Sequence, residues 1–128
     1  MGLKHVIFEK GHDIHETESR KIMTIVNGDI PNYTPAQIRL VEIKDSRAVL
    51  GNHWRDYGEV YAVVGKATIT LEDIETKEQC VYELETSDRL FVPPQIGLRL
   101  TATKGTVIVV CAQKAIRDDQ THKYVLTS

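Results

Sequence analysis

The sequence has almost no net charge: 16 Lys and Arg against 18 Asp and Glu leave a formal −2. Without a long-range field of either sign there is nothing to draw in nucleic acid or an anionic membrane, and both partners are set aside. Cysteine is scarce. Cys80 and Cys111 fall inside apolar runs rather than at paired loop positions. The opening MGLKHVIFEK has no long apolar core and no small-residue cleavage site, so no signal peptide is expected. Together these features predict a cytoplasmic protein with two reduced, buried thiols; a disulfide would need an oxidising compartment. Long hydrophobic runs are missing too. The longest, residues 106–112, is far too short to span a bilayer. Val6 stands where a myristoylation signal needs Ser or Thr. No internal repeat, low-complexity segment or amphipathic helix is visible.

What is there reads as β-structure. A chain of 128 residues with 41% apolar and 27% charged side chains is one domain, long enough to bury a real core. Within 1–128 we expect N-terminal strands and a connector over 1–36, a barrel core over 37–113 and a C-terminal tail over 114–128. Residues 4–9 and 21–26 are β-rich, and Asn27-Gly28-Asp29 has turn chemistry. Residues 11–19 are polar and read as a loop, and Pro31 and Pro35 mark a connector. Residues 37–44, 48–50, 60–64, 67–71, 79–84, 90–92, 98–102 and 106–113 follow as β-rich segments. Gly65-Lys66 reads as a two-residue hairpin connection. Pro93-Pro94 reads as a rigid bend, and Tyr124-Val125-Leu126 as a tail able to dock on the barrel or on a neighbour. About ten short strands with regular turn signals predict an all-β sandwich or barrel.

Residues 51–70, GNHWRDYGEVYAVVGKATIT, organise the rest. Side chains alternate faces along a strand, so His53 and Arg55 share a face, as do Glu59 and Tyr61. A turn over 56–58 would bring the two pairs together from adjacent strands. Trp54, of opposite parity, should pack against the N-terminal strand or a second subunit.

Residues 51–65 resemble the first cupin motif, G-x5-H-x-H-x3/4-E-x6-G, and residues 87–102 the second, G-x5-P-x-G-x2-H-x3-N. Together they cover the middle half of the chain. The resemblance implies a cupin-type jelly-roll barrel and a homodimer. His53 and Glu59 match, and Gly65 comes one residue early. Arg55 takes the place of the second histidine. In the second motif Pro93 matches, Ser87 and Gln95 replace glycines, and Leu98 stands at the third histidine. Cupins usually hold a metal with three histidines and a carboxylate, of which only His53 and Glu59 remain. A guanidinium has no lone pair for a metal and repels a divalent cation, so no metal and no other cofactor is expected.

A fixed cation in a barrel mouth has its own chemistry. Arg55 can bind a carboxylate or phosphate bidentately, or polarise a carbonyl. It would also lower the pKa of a neighbouring His53, favouring the neutral imidazole that a general base needs. The Gly51-Asn52-His53 sequence is similar to the R-G-N-H-x-H of sugar 3,4-ketoisomerases acting on dTDP-linked sugars, and to the R-G-x-H of dTDP-4-dehydrorhamnose 3,5-epimerases. Here Leu50 precedes the glycine in place of arginine. The resemblance implies His53 as base. Tyr61 is the second catalytic candidate, and Asn52, Arg55 and Glu59 are the ligand-binding ones.

Two functions stay open. One is a metal-independent isomerase or epimerase of a nucleotide-linked keto sugar. The other is a non-catalytic cupin module that holds a small anion through Arg55 or serves regulation or assembly; the bland alternative for Arg55 and Glu59 is a structural ion pair plugging a dead site. A third would be a metal cupin recruiting Glu72 or His122. His12, His15 and Glu16 form an H-x-x-H-E string that reads as a solvated loop.

Overall fold

A computed structural model describes residues 3–115 and 120–127. Residues 116–119 and 128 of the expected tail lie outside this range, as do residues 1 and 2 at the N-terminus. The described residues form twelve strands and no α-helix: β1 Ile7–Glu9, β2 Ile14–Glu16, β3 Lys21–Met23, β4 Gln37–Glu42, β5 Leu50–Arg55, β6 Glu59–Val64, β7 Lys66–Asp73, β8 Gln79–Glu85, β9 Arg89–Val92, β10 Ile96–Ala102, β11 Val107–Ala112 and β12 Thr121–Lys123. Among the described residues no helix is long and apolar enough to cross a membrane.

Two five-stranded antiparallel sheets face each other, ordered β1-β9-β6-β11-β4 and β12-β5-β10-β7-β8, with β2-β3 as a separate hairpin. Strand alternation explains the packing. In β8, Tyr82 and Leu84 turn inward while Val81, Glu83 and Glu85 stay exposed. β6 and β7 are buried on both faces along nearly their whole length, which suits central strands. The core between the sheets gathers Tyr61, Val63, Ile69, Leu71, Leu98, Leu100, Ile108 and Val110. A smaller cluster of Ile30, Tyr33, Val60 and Cys111 lies under the Pro31–Pro35 connector. Cys111 is buried in that cluster, and Cys80 is half-buried in β8 on the other sheet; both are free thiols.

Three expectations about connectivity need correcting. Gly65-Lys66 closes no hairpin: β6 pairs with β9 and β11, and β7 pairs with β10 and β8. Gly65, at φ 124°, carries the chain from one sheet to the facing one. A Cβ there would sit 2.5 Å from Thr106 Oγ1, so the glycine serves a close crossing rather than a tight turn. By the same logic β5 and β6 belong to opposite sheets, and the His53–Arg55 and Glu59–Tyr61 pairs meet across the barrel rather than along neighbouring strands. The third correction concerns residues 11–19, which contain strand β2 paired with β3. The C-terminal segment docks on the barrel: β12 pairs with β5, Tyr124 packs on Gly97, and Leu126 is buried.

Candidate active site

The site begins with an irregularity in β5. Leu98 of β10 faces His53 and Arg99 faces Gly51, so Asn52 is an extra residue bulging out of the ladder. Gly51 and Asn52 both take positive φ, 89° and 54°. A side chain at Gly51 would meet the Leu98 carbonyl oxygen at 2.6 Å. The Gly-Asn step therefore lets β5 kink against β10 and sets the direction in which His53 projects. Beyond the bulge β5 is extended, and Arg55 follows on the same face as His53. Just past Pro93-Pro94, Gln95 donates its N–H to the Arg55 carbonyl at 2.9 Å, which fixes the end of the strand.

His53 and Arg55 line an open-mouthed cavity between the sheets of about 290 Å³. Tyr61 contributes to its wall from β6 and Arg39 from β4, with Leu50, Leu98, Leu100, Ile108 and Val110 supplying apolar surface. That volume is at the small end for ligand pockets and suits a sugar-sized group. Glu59 stands behind this wall. Arg55 Nη1 donates to Glu59 Oε2, and Arg55 Nε donates to Thr121 Oγ1 at 3.2 Å. Tyr61 donates its hydroxyl to Glu59 Oε1 at 2.8 Å. The Arg55 and Glu59 side chains are 12% and 4% exposed, so the pair is nearly dry.

The electrostatics give each group a protonation state. Burial, and after it the Arg55 charge, lowers the His53 pKa from 6.5 to about 4, with a hydrogen bond to the Gly51 backbone acting weakly against them. His53 is neutral at physiological pH, and its buried Nε2 has no hydrogen-bond partner among the described residues. Burial raises Tyr61 well above the ordinary phenol value, and the Glu59 charge adds to it, so Tyr61 stays protonated. Burial also pushes Glu59 up, while Arg55 and the Tyr61 hydroxyl pull it back.

His53, Arg55 and Tyr61 thus share one cavity with Glu59 directly behind them. Asn52 does not line it; the Asn52 carbonyl instead accepts the Tyr124 N–H at 2.9 Å. Within the chain, Trp54 meets the C-terminal segment and not the N-terminal strand. It stacks on His122, ring centroids 3.9 Å apart, because β12 pairs beside β5 and sets His122 opposite Trp54, and His122 lies 3.1 Å from Asp56. His12 bonds to Glu9 at 3.2 Å while His15 and Glu16 are exposed on β2, so the H-x-x-H-E string does not converge. Arg39 escaped the sequence reading. In β4 the apolar Ile38 and Leu40 look like the buried face, yet they are 66% and 73% exposed, and Arg39 and Val41 turn to the cavity. Only the strand's two-residue period, anchored on Val41, points to Arg39.

A metal does not fit this donor set. Glu59 faces Arg55 and Tyr61, Leu98 has no donor atom, and the Arg55 cation shares the wall with the single imidazole. Glu72 is engaged by Tyr124, Gln79 and Thr127, and His122 by Trp54 and Asp56. Among the described residues no three His, Cys, Asp or Glu gather closely enough to hold a metal ion.

No protein-family model matches the chain, and no curated protein matches it. Solved structures do. A mutant of the 3,4-ketoisomerase QdtA from Thermoanaerobacterium thermosaccharolyticum, in complex with TDP-4-keto-6-deoxyglucose, superposes with TM-score 0.83 over 95% of this chain and 89% of its own, at 19% identity. The TDP-quinovose 3,4-ketoisomerase WlaRB of Campylobacter jejuni gives 0.82 over 94% of each chain at 13% identity. The 3,5-epimerase RmlC of Legionella pneumophila, in complex with dTDP-4-keto-L-rhamnose, gives 0.74 over 91% and 76% at 10% identity. At such identities the likeness is one of fold. The chain is all-β with the cupin-type jelly-roll architecture of these sugar-nucleotide isomerases and epimerases.

Proposed function

We propose that the protein is a metal-independent isomerase or epimerase of a nucleotide-linked keto sugar, with His53 as general base. The observation that carries this reading is His53 itself, a neutral imidazole on the wall of a sugar-sized cavity, whose buried Nε2 has no hydrogen-bond partner among the described residues. Support comes from the fold's neighbours, two of which hold TDP-linked keto sugars.

The chemistry follows from the wall. The His53 imidazole takes the proton from the carbon next to the ketone, and the electron pair moves into an enediolate whose charge faces Arg55. Return of that proton to the neighbouring carbon, with the hydroxyl proton passing between the oxygens, shifts the ketone by one position. Return to the same carbon on the opposite face would need a second acid and gives an epimer. Tyr61 stays a phenol and orients a sugar hydroxyl. A nucleotide-sugar ligand and two free thiols suit a cytoplasmic protein. The exposed Ile38 and Leu40 on the edge strand β4 support a homodimer, which light scattering after gel filtration would check.

The test is incubation with TDP-4-keto-6-deoxyglucose in deuterium oxide. Deuterium should enter next to the ketone, and His53→Asn should abolish it. If no keto sugar nucleotide exchanges, the enzymatic reading fails. A binding module is then favoured, and one observation already points that way: Arg55 and Tyr61 both donate to Glu59, leaving His53 as the only uncommitted proton-transfer group on the wall.

A further inference from the structure

The sequence makes Arg55 the natural anion receptor of the cavity, but the structure occupies it elsewhere. Its side chain is nearly buried and its charge is matched by Glu59. A dianionic phosphate would have to compete with a carboxylate already in place, inside the barrel, where stripping its hydration is costly. Arg39 differs in each respect. Its residue is exposed, on an edge strand, at the cavity wall. Arg47, Arg55 and Arg89 each hold a carboxylate, whereas Arg39 makes no ion pair or hydrogen bond among the described residues and feels Glu59 and Tyr57 only through its charge. The Arg55–Glu59 pair cancels within itself and His53 is neutral, so Arg39 gives the cavity its net positive charge.

Its position also suits a two-part ligand. Arg39 lies opposite Val110, and Val110 lies opposite Tyr61, so the three form one inward row across β4, β11 and β6. With strands ~4.8 Å apart, the Arg39 and Tyr61 backbones are about 10 Å apart. A hexose ring lying over Val110 against His53 and Tyr61 then directs its anomeric substituent toward the open edge of the sheet.

We propose that Arg39 is the phosphate receptor of the site, holding the diphosphate of a nucleotide-linked sugar at the rim while the ring lies inside. This rests on the reading of the cavity as a sugar-nucleotide site and names the residue that gives it affinity for the nucleotide half. Guanidinium to phosphate is a charge-assisted, bidentate contact, and it is worth most where one end stays hydrated and no carboxylate must be displaced.

Isothermal titration with TDP tests it on the intact chain. Arg39→Gln should weaken TDP binding by about ten- to a hundredfold, the worth of one or two charge-assisted hydrogen bonds, and flatten its dependence on salt. Arg39→Lys should recover part of the affinity, and His53→Asn should keep it. The same variants titrated with inorganic pyrophosphate should follow the same order. Arg39 is exposed, so a melting temperature close to that of the parent will show that the variant is folded. If Arg39→Gln binds TDP as the parent does, the assignment of Arg39 is overturned and the sugar-nucleotide reading stands. If the parent itself fails to bind TDP, both are overturned.

Discussion

Arg55, the last residue of β5, donates to Glu59, the first residue of β6, so a single ion pair ties the two facing sheets together across the turn at residues 56–58. The pair is nearly dry, and Glu59 also accepts the Tyr61 hydroxyl. One carboxylate therefore holds a cation and a phenol in fixed positions beside His53. Removing it leaves a buried guanidinium uncompensated, which costs more than the pair itself contributes.

Glu59→Gln should accordingly destabilise the fold by about 3–5 kcal/mol, whereas the double replacement Arg55→Met with Glu59→Leu should cost much less. Urea denaturation midpoints of the three proteins would decide it. Equal midpoints for Glu59→Gln and the parent would mean that water reaches the pair.

The His53 imidazole sets a second expectation. Its folded pKa, about 4, lies below the ordinary 6.5, because burial and then Arg55 disfavour the cation. Above pH 6.5 neither the folded nor the unfolded chain protonates the ring, and this group costs no stability. As pH falls from 6.5 toward 4 the unfolded chain takes up a proton that the folded one refuses, and stability declines over that window. Melting temperature should fall from pH 6.5 to 4 in the parent, and the fall should be shallower in His53→Asn. For proton exchange with substrate, the acid limb should lie near pH 4 rather than 6.5. An acid limb at 6.5 would show His53 to be solvated.

How much of this was legible beforehand depends on what each signal measures. Two-residue periodicity and turn residues report local geometry, and they gave the strands and the shared face of His53 and Arg55. They do not report which strands pair. Gly65-Lys66 has hairpin chemistry, yet Gly65 is a glycine because Thr106 passes close by, a contact 41 residues away in the chain. Arg39 was hidden for a similar reason. Ile38 and Leu40 make the wrong face of β4 look like the inner one, and only the partner strand β11 reveals the right one. Motif position points to Asn52, but the bulge that carries it turns it out of the cavity lining.

That bulge supplies the third prediction. Gly51→Ala places a methyl group in a left-handed backbone conformation and against the Leu98 carbonyl. The two penalties together come to about 2–4 kcal/mol. Relief requires β5 to shift against β10, which moves His53. We expect a lower melting temperature and, in the protein that remains folded, loss of exchange activity with little change in TDP affinity. The imidazole resonances of His53, followed by NMR, should move as well. Unchanged His53 resonances would mean that the strand absorbs the methyl elsewhere.

The last prediction concerns the far side of β5, where the C-terminal segment acts on the site without touching the cavity. Glu72 on β7 is fully buried yet accepts from Gln79 Nε2 at 2.6 Å, from the Thr127 N–H at 3.0 Å and from the Tyr124 hydroxyl. Burial alone would raise its pKa, but those donors outweigh it and hold the carboxyl below its ordinary value. The Tyr124 ring meanwhile covers Gly97, where a Cβ would come within 2.6 Å of it. Tyr124 thus anchors the strand β12 that precedes it, and β12 carries Thr121, the hydroxyl that receives Arg55 Nε. Loosening Tyr124 should be felt at Arg55. Tyr124→Ala removes the ring contact and one of the donors to a buried carboxylate, for a loss of about 2–4 kcal/mol, while Tyr124→Phe keeps the ring and loses about 1–3. The signature that separates anchoring from simple destabilisation is hydrogen exchange. In Tyr124→Ala the β12 amides and those of β5 paired with them should exchange faster, while those of β6 and β11 keep their protection relative to the global stability. Uniform acceleration across both sheets would show instead that the segment contributes only to overall stability and has no particular hold on Arg55.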